Sequence, residues 1–271
     1  MTDLYAVIGN PVAQSKSPRI HAEFARQLDQ DLRYEAILAP RDGFGAAVAA
    51  FRTAGGRGLN VTLPFKLEAF ALATARTERA EEAGAVNTLV FDGATILGDN
   101  TDGAGLVADI RDRLGFALRD RRILIMGAGG AARGVVLPLL REMPASIVLA
   151  NRTVEKAHEL ERHFARFGAV EGGDYARLAG RQFDLVVNAT SASLAGELPP
   201  LPQNVFAPGS LACDMVYGDR LTRFLVHARE QGAARLADGL GMLLAQAAES
   251  FFLWRGVRPD TRPVIALLRS G

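Results

Sequence analysis

The lysine in the segment NVTLPFK, residues 60–66, is the first candidate for chemistry in this chain. Residues 60–63 have the composition of a strand end, and Pro64 favours the first turn of a helix, where its missing N–H costs nothing. Lys66 is then predicted in the opening helical turn, where the helix dipole disfavours a cation by about 0.3–1 kcal/mol. A local preference broken without visible structural gain is typical of a functional site. The alternative is a surface lysine whose stem covers apolar neighbours.

Clusters of small polar residues follow several predicted strands, and α/β sheets place their ligands at such strand ends. Any one of these clusters would be unremarkable as a helix cap or turn, which is the commoner role of Ser, Asn and Asp. Together with a nucleotide site, they indicate a small substrate rich in hydroxyl groups. The clusters are residues 15–17, 60–62, 84–88 and 100–103.

A glycine-rich turn in ILIMGAGGAARG, residues 123–134, indicates a nucleotide site. Gly127, Gly129 and Ala132 fit the G-x-G-x-x-G/A pattern, directly after a predicted strand and at the start of a predicted helix. The first glycine permits the turn, the second lets a pyrophosphate approach, and the third small residue allows close helix–strand packing. Free N–H groups at the helix start would bind the anion. The alternative is a plain strand–helix turn, but the βαβ context favours nucleotide binding.

The end of the next predicted strand favours NADP over NAD. An NAD site usually places Asp or Glu there for the ribose hydroxyls, whereas this strand ends in LANRT, residues 149–153. No carboxylate is present to repel a 2′-phosphate, and Arg152 offers a charge-assisted contact. Thr153 offers a hydroxyl. The alternative is a solvated Arg152 and a Thr153 that caps the following helix, and Thr153 could do both.

Strands and helices alternate along the whole chain, which predicts two α/β units with mostly parallel sheets. Ser17 is the expected N-cap of the first helix, with Pro18 at its first helical position. Asp92-Gly93 is the expected two-residue turn of a hairpin. The boundary between the units is predicted near Asp102, and the closing helices could return to the first unit.

Composition indicates an ordinary globular protein of 271 residues, with 49% hydrophobic and 23% charged residues. The charge count is 31 basic against 30 acidic residues, so nothing favours nucleic acid or an anionic membrane as a partner. Cys213 is the single cysteine, and no Cys/His cluster has metal-ligand spacing, so we expect neither a disulfide nor a metal. Without a signal-peptide core or a membrane-length apolar run, a cytoplasmic location is expected.

With these motifs in order, the sequence resembles the shikimate dehydrogenases almost from end to end. The combination of NVTLPFK, NTDG and a GAGG loop is highly specific. The matching stretches are GNPVAQSKSP with His21, NVTLPFK, GAVNT, GDNTDG, GAGGAARG, NRT, NATS, DMVYG and DGLGMLLAQAA.

The resemblance implies an enzyme that interconverts 3-dehydroshikimate and shikimate with NADP(H), a step of aromatic amino-acid (chorismate) biosynthesis. It implies a substrate-binding domain formed by residues 1–102 plus 240–271. Residues 103–239 would form a Rossmann-like NADP-binding domain, with a cleft between the two domains. We expect a small-molecule substrate, no nucleic acid or membrane partner, and a monomer or homodimer.

The family's functional residues carry over to matching positions in this chain. The resemblance makes Lys66 the acid/base, paired with Asp102, because hydride addition to a ketone leaves an alkoxide that needs a proton. The substrate carboxylate would contact Ser15 and Ser17. The ring hydroxyls would contact Asn60, Thr62, Asn87, Asp102 and Gln246, with Tyr217 nearby. The cofactor would contact Gly127, Ala128, Gly129, Gly130, Ala131, Asn151, Arg152, Thr153, Thr190, Ser191, Met215, Gly239 and Met242.

Two positions depart from the family pattern, and three other functions stay open. Gln14 stands where the family often has His, and Ala22 where it often has Asn. A broad quinate/shikimate dehydrogenase is the nearest alternative, although such relatives more often have an acidic residue at the position of Thr153. The second alternative is a catalytically silent sensor of NADP or shikimate, which the presence of Lys66 and Asp102 argues against. The third is a structural protein, which no feature of the sequence supports.

Overall fold

The computed structural model describes residues 2–269, with residues 194 and 195 described through their backbone alone. The chain forms two compact units, one from Met1–Gly105 with Leu244–Gly271 and the other from Leu106–Leu243. The sequence placed these changes at residues 102 and 239. In the structure, the chain passes from one unit to the other within helix α5 (Asp102–Ala108) and again within helix α9 (Gly239–Arg255).

The first unit has a six-stranded sheet in the order β2-β1-β3-β5-β6-β4, in which β5 runs antiparallel to both its neighbours. Its apolar core includes Phe44, Phe51, Leu59 and Phe65. Its elements, besides the parts of α5 and α9, are β1 (Asp3–Gly9), α1 (Ser17–Gln27), β2 (Leu32–Leu38), α2 (Phe44–Thr53), β3 (Gly56–Val61), α3 (Lys66–Leu72), β4 (Ala75–Arg76), α4 (Glu78–Ala83), β5 (Thr88–Asp92), β6 (Thr95–Asp99) and α10 (Arg262–Arg269).

Three local predictions in this unit were wrong by one or two residues. Ser17 is the first helical residue of α1 and Lys16 is its N-cap, without a side-chain capping bond. Pro64 lies in the turn before α3, after a cis peptide bond, instead of in the helix. The hairpin pairs Asp92 with Thr95, so its loop is Gly93 and the alanine after it. Gly93 has a φ of +55°, which glycine adopts without strain.

The second unit has a six-stranded, fully parallel sheet in the order β12-β11-β10-β7-β8-β9. Counted from β7, this is the strand order of a doubly wound dinucleotide-binding fold. Its elements are β7 (Arg122–Met126), α6 (Gly130–Arg141), β8 (Ser146–Ala150), α7 (Val154–Phe164), β9 (Val170–Gly173), β10 (Phe183–Asn188), β11 (Phe206–Asp214), α8 (Arg223–Glu230) and β12 (Arg235–Ala237), with a π-helical turn at Asp109–Arg113.

The central strands of the second sheet are almost continuously apolar and are buried on both faces, as is typical of parallel sheets. Ile123 and Ile125 of β7 pack into the core on one face. Leu124 and Met126, which alternate with them, pack into the core on the other face. The two layers that cover the sheet leave its strand ends as the place where polar groups can meet a ligand.

Between residues 2 and 269, no helix combines the length and the apolar character needed to span a bilayer. In the same described part of the chain, no three His, Cys, Asp or Glu side chains come together as a metal ion would require.

Candidate active site

Lys66 is the first residue of α3, and its backbone is held on both sides. The preceding residue, Phe65, is fully buried and stacks on Phe44 with ring centroids 5.0 Å apart. The Lys66 carbonyl accepts a hydrogen bond from the backbone N–H of Val86 at 3.0 Å. The ammonium Nζ donates to Asp102 Oδ2 at 2.5 Å. The two side chains are 29% and 17% exposed, so the pair is held in place but still accessible.

Asp102 is the first residue of α5, where a carboxylate is favoured by the helix dipole. Its backbone N–H donates to Asn100 Oδ1 at 3.2 Å. Its second carboxylate oxygen, Oδ1, accepts from Asn87 Nδ2 at 2.9 Å. One oxygen therefore contacts the lysine while the other is held by an amide, which fixes the orientation of the carboxylate.

A buried polar network extends from Asp102 into the first unit and contains several of the predicted substrate residues. Asn60 and Asn87 are both buried, and Gln246 Oε1 accepts from Asn87 Nδ2 at 3.3 Å. Four hydroxyls complete this network, those of Tyr34, Thr88, Thr101 and Ser250. Thr88 and Thr101 lie in the polar clusters found in the sequence, although no role was assigned to them. Sequence reasoning missed Tyr34 and Ser250, because neither lies in a polar cluster.

The predicted carboxylate site involves the turn before α1. The backbone N–H of Ser17 donates to Ser15 Oγ at 3.3 Å, and Ser17 is buried.

Thr62 follows β3, and its methyl would lie 2.4 Å from a Cβ at Gly9, so the glycine permits this approach. The Thr62 hydroxyl makes no hydrogen bond to another described residue, which leaves it available to a ligand.

The glycine-rich turn of the second unit has room for a ligand. Gly127 has a φ of +104°, and a Cβ there would lie 3.2 Å from the carbonyl oxygen of Ala189. A Cβ at Gly129 or Gly130 would meet no atom within 4 Å, so packing inside the protein does not explain these two glycines. Helix α6 begins at Gly130 without a side-chain cap. Its N–H groups and the open space beside the glycines fit a pyrophosphate.

The end of β8 presents two polar side chains, those of Arg152 and Thr153, that make no hydrogen bond to another described residue. Asn151 Nδ2 donates to the carbonyl of Thr153 at 2.9 Å, which shapes the turn. Thr153 occupies the N-cap of α7, yet its side chain makes no capping bond. Arg152 is exposed and forms no hydrogen bond or ion pair with another described residue. A guanidinium and a hydroxyl that make no hydrogen bond or ion pair within the described part of the chain fit a 2′-phosphate.

The remaining predicted cofactor residues lie at the ends of β10 and β11, at the start of α9 and in the loop at 128–131. Thr190 Oγ1 donates to Asn188 Oδ1 at 2.7 Å, so its hydroxyl is already engaged. A Cβ at Gly239 would lie 2.2 Å from the carbonyl oxygen of Met215, which explains a glycine there. Met242 packs into the core of the second unit, with Ala128 and Met215 partly buried beside that core, whereas Ala131 and Ser191 are exposed.

Sequence reasoning also missed the buried carboxylate of Asp214, the last residue of β11. Asp214 accepts from the Thr222 hydroxyl at 2.5 Å and from the Ser193 hydroxyl at 2.6 Å. The backbone N–H of Val216 donates to it at 3.0 Å. Asp214 therefore fixes the backbone around Met215. Tyr217, two residues further on, is half-buried in the second unit, and burial raises the pKa of its hydroxyl.

Three family models match the chain in order. They describe a shikimate dehydrogenase substrate binding domain at residues 7–89, a shikimate/quinate 5-dehydrogenase at residues 109–195, and a shikimate 5′-dehydrogenase C-terminal domain at residues 239–269. The chain belongs to the shikimate dehydrogenase family. This confirms the resemblance found in the sequence and, with it, the class of enzyme, an oxidoreductase.

Relatives of known name and structure share the full length of this shikimate dehydrogenase family member. The shikimate dehydrogenase (NADP(+)) of Nitrosospira multiformis is 67% identical over 270 residues, covering 100% of this chain and 98% of that protein. The crystal structure of an Ael1 enzyme from Pseudomonas putida is 52% identical with a TM-score of 0.95, covering 98% of each chain. Shikimate 5-dehydrogenase from Thermus thermophilus, solved with NADP(H) and shikimate, is 33% identical with a TM-score of 0.87, covering 99% of each chain. The predicted fold of two α/β domains is confirmed.

Proposed function

We propose that this chain catalyses the NADP-dependent interconversion of 3-dehydroshikimate and shikimate in aromatic amino-acid biosynthesis. The observation that carries the proposal is the Lys66–Asp102 pair, 2.5 Å apart and partly exposed, in the unit that holds most of the candidate hydroxyl-binding residues. The names of the full-length relatives support the substrate and the cofactor.

In this proposal, Lys66 is the proton donor and acceptor. Reduction of the ketone leaves an alkoxide oxygen, and Lys66 Nζ gives it a proton; in the reverse direction the lysine takes the proton from the alcohol. Asp102 accepts one of the N–H groups of the ammonium and so aims the other two. The pair acts as a unit, in which Asp102 positions the lysine and also accepts from a substrate hydroxyl.

Most of the substrate-binding roles go to residues of the first unit. Ser15 and Ser17 bind the carboxylate, and the free hydroxyl of Thr62 binds a ring hydroxyl. Both N–H groups of Asn60 donate inside the protein, to Ser250 and Thr88, so Asn60 can only accept from the substrate, through Oδ1. The remaining ring contacts are assigned to Asn87, Gln246 and Tyr217.

The second unit holds the cofactor in this proposal. When bound, NADPH supplies the hydride for reduction of the ketone, and NADP⁺ accepts it in the reverse reaction. The glycine-rich turn at 127–131 and the uncapped start of α6 hold the pyrophosphate, while Asn151, Arg152 and Thr153 hold the adenosine phosphate. The nicotinamide pocket is formed by Met215, Gly239, Met242, Thr190 and Ser191. We assign residues 1–102 with 240–271 to substrate binding and residues 103–239 to NADP binding.

Initial rates of pyridine-nucleotide reduction test the proposal, with shikimate and quinate each paired with NADP and NAD. Activity confined to shikimate and NADP is expected. Comparable turnover of quinate or NAD would place the chain among the broad-specificity enzymes. Absence of turnover with every pair, in folded protein that still binds NADP, would refute the proposed activity.

We further propose a cytoplasmic enzyme that is a monomer or a homodimer. The chain has a single cysteine and so no internal disulfide, which suits a reducing compartment. Light scattering of the purified protein measures the oligomeric state directly.

A further inference from the structure

Two fully buried hydroxyls, those of Thr88 and Ser250, lie where the predicted substrate-binding amides meet. Thr88 begins β5 and Ser250 lies on α9, 162 residues later, yet their oxygens are 2.8 Å apart. Neither residue has been given a role in substrate binding, cofactor binding or catalysis above. Because burying a hydroxyl is unfavourable unless it is hydrogen-bonded, their partners show what the two groups do.

The first partner is Asn60. Its Nδ2 donates to Ser250 Oγ at 2.9 Å and to Thr88 Oγ1 at 3.1 Å. Its Oδ1 accepts from the hydroxyl of Tyr34 at 2.8 Å. Burial raises the pKa of Tyr34 well above its ordinary value, so the phenol keeps the proton that it donates. The backbone carbonyl of Asn87 can only accept, and it lies 3.4 Å from Asn60 Nδ2, so the amide of Asn60 has one favourable orientation.

The second partner is Asn87. The backbone N–H of Thr101 can only donate, and it lies 2.9 Å from Asn87 Oδ1, which identifies the oxygen of this amide. Thr88 Oγ1 donates to the same oxygen at 2.9 Å. The amide nitrogen must then face Asp102, and it donates to Asp102 Oδ1 at 2.9 Å.

The hydrogen bonds therefore run in one direction, from Tyr34 through Asn60 to Thr88, and from Thr88 through Asn87 to Asp102. Ser250 accepts from the same Asn60 nitrogen as Thr88, and its own hydroxyl donates to the backbone carbonyl of Gln246 at 3.1 Å. Chains of hydrogen bonds aligned in this way strengthen one another. Because Asn87 donates to Asp102 Oδ1, the other carboxylate oxygen, Oδ2, accepts from Lys66 Nζ.

We propose that Thr88 and Ser250 are positioning residues for the reaction. Both hydroxyls accept from the Asn60 amide. Thr88, which Ser250 contacts at 2.8 Å, also donates to the Asn87 amide and so fixes the carboxylate that aims Lys66. This inference rests on the proposed function, because it assigns the two residues to the acid/base pair of that reaction.

The test compares Thr88→Val, which keeps the shape and removes the hydroxyl, with Thr88→Ser, which keeps the hydroxyl. Since small misplacements of a catalytic group can lower rates by about 100-fold, we expect Thr88→Val to lose about 10- to 100-fold in kcat. KM for shikimate should change less than kcat, and KM for NADP should not change. Thr88→Ser should restore kcat to within about threefold of the wild type, since only the hydroxyl is required.

Ser250→Ala provides an independent measurement and should show the same kcat loss. The double variant should lose less than the product of the two single losses, because both hydroxyls contact each other and accept from the same amide, that of Asn60. Ser210→Ala is the matched control. Ser210 is also buried, but its hydroxyl has no hydrogen-bond partner within the described residues, so kcat should be unchanged.

The outcomes separate this inference from the proposed function. Wild-type protein without shikimate turnover would refute the proposed function itself. An active wild type together with Thr88→Val or Ser250→Ala at full kcat would overturn the positioning roles alone. Equal losses in Thr88→Val and Thr88→Ser would also overturn them, since they would reflect packing and not the hydroxyl. If Thr88→Val does not fold, Ser250→Ala decides the question.

Discussion

Replacement of Lys66 by methionine should abolish most of the turnover while leaving the fold intact. Methionine keeps the length and apolar stem of the side chain and removes the ammonium. A positioned proton donor contributes about 10²- to 10⁴-fold to a rate, which corresponds to about 3–5 kcal/mol of transition-state stabilisation. We expect the loss in kcat to fall in that range, with KM for shikimate changing little.

The structure also indicates a small effect of this substitution on stability. The lost ion pair is partly exposed and contributes about 1 kcal/mol at most. Removing a cation from the start of α3 stabilises the folded state by about 0.3–1 kcal/mol, because the helix dipole disfavours a positive charge there. The carboxylate of Asp102 still accepts from Asn87 Nδ2, so it is not left without a partner. The free energy of unfolding should therefore change by less than about 1 kcal/mol.

The assay measures kcat and KM from initial rates in both directions, with urea unfolding of each variant as the measure of stability. Arg26→Met is the matched control, since Arg26 is 77% exposed and pairs only with Glu23 among the described residues. It should retain wild-type kcat. A Lys66→Met enzyme within tenfold of wild-type kcat would refute the assignment of Lys66, whereas a loss of unfolding free energy well above 1 kcal/mol would refute the stability argument.

Three further predictions address the cofactor, pH and packing. Arg152→Ala should raise KM for NADP by about 10- to 100-fold through the loss of a charge-assisted hydrogen bond and leave KM for NAD unchanged; equal changes for both cofactors would contradict the 2′-phosphate assignment. Burial lowers the pKa of His21 from 6.5 to about 3, so stability falls as the pH drops below 6.5 and the unfolded state takes up a proton. His21→Phe should remove about 2 kcal/mol of the loss in unfolding free energy between pH 7 and pH 5, and an unchanged pH dependence in urea titrations would count against it. Gly58→Ala should destabilise by about 1–3 kcal/mol, since its Cβ would lie 2.3 Å from Trp254 Nε1, whereas Gly45→Ala, with open space around it, should not; fluorescence of the single tryptophan reports both.

Much of the second unit could be predicted because its signals are local. The alternation of strands and helices predicted a mostly parallel sheet, and the glycine spacing placed the turn directly after β7. Strands β9 and β12 were missed because they are short, and β9 contains two glycines, a residue that strands disfavour. In the first unit, helix α4 was missed as well, although Thr77 caps it by accepting from the N–H of Ala80.

The buried network of the first unit could not be predicted in the same way. Ser250 lies on α9 within an apolar stretch, and its partner Asn60 is 190 residues away in the chain. No periodicity or spacing relates two such residues, because only the packing of α9 against the first sheet brings them together. Serine in an apolar helix was the sole signal available, and it does not identify a partner.

The position of Lys66 was predicted from a broken local rule, and the structure shows how that rule is compensated. Lys66 and Asp102 are each the first residue of a helix, so the dipole of α3 disfavours the cation while that of α5 favours the carboxylate. Their pairing at 2.5 Å offsets the cost at Lys66 with an interaction that depends on both helix starts. A lysine further along α3 would avoid the unfavourable interaction with the helix dipole, but its ammonium would not lie beside the Asp102 carboxylate. The unfavourable position is therefore a consequence of placing an ammonium and a carboxylate side by side, where both remain accessible to a substrate.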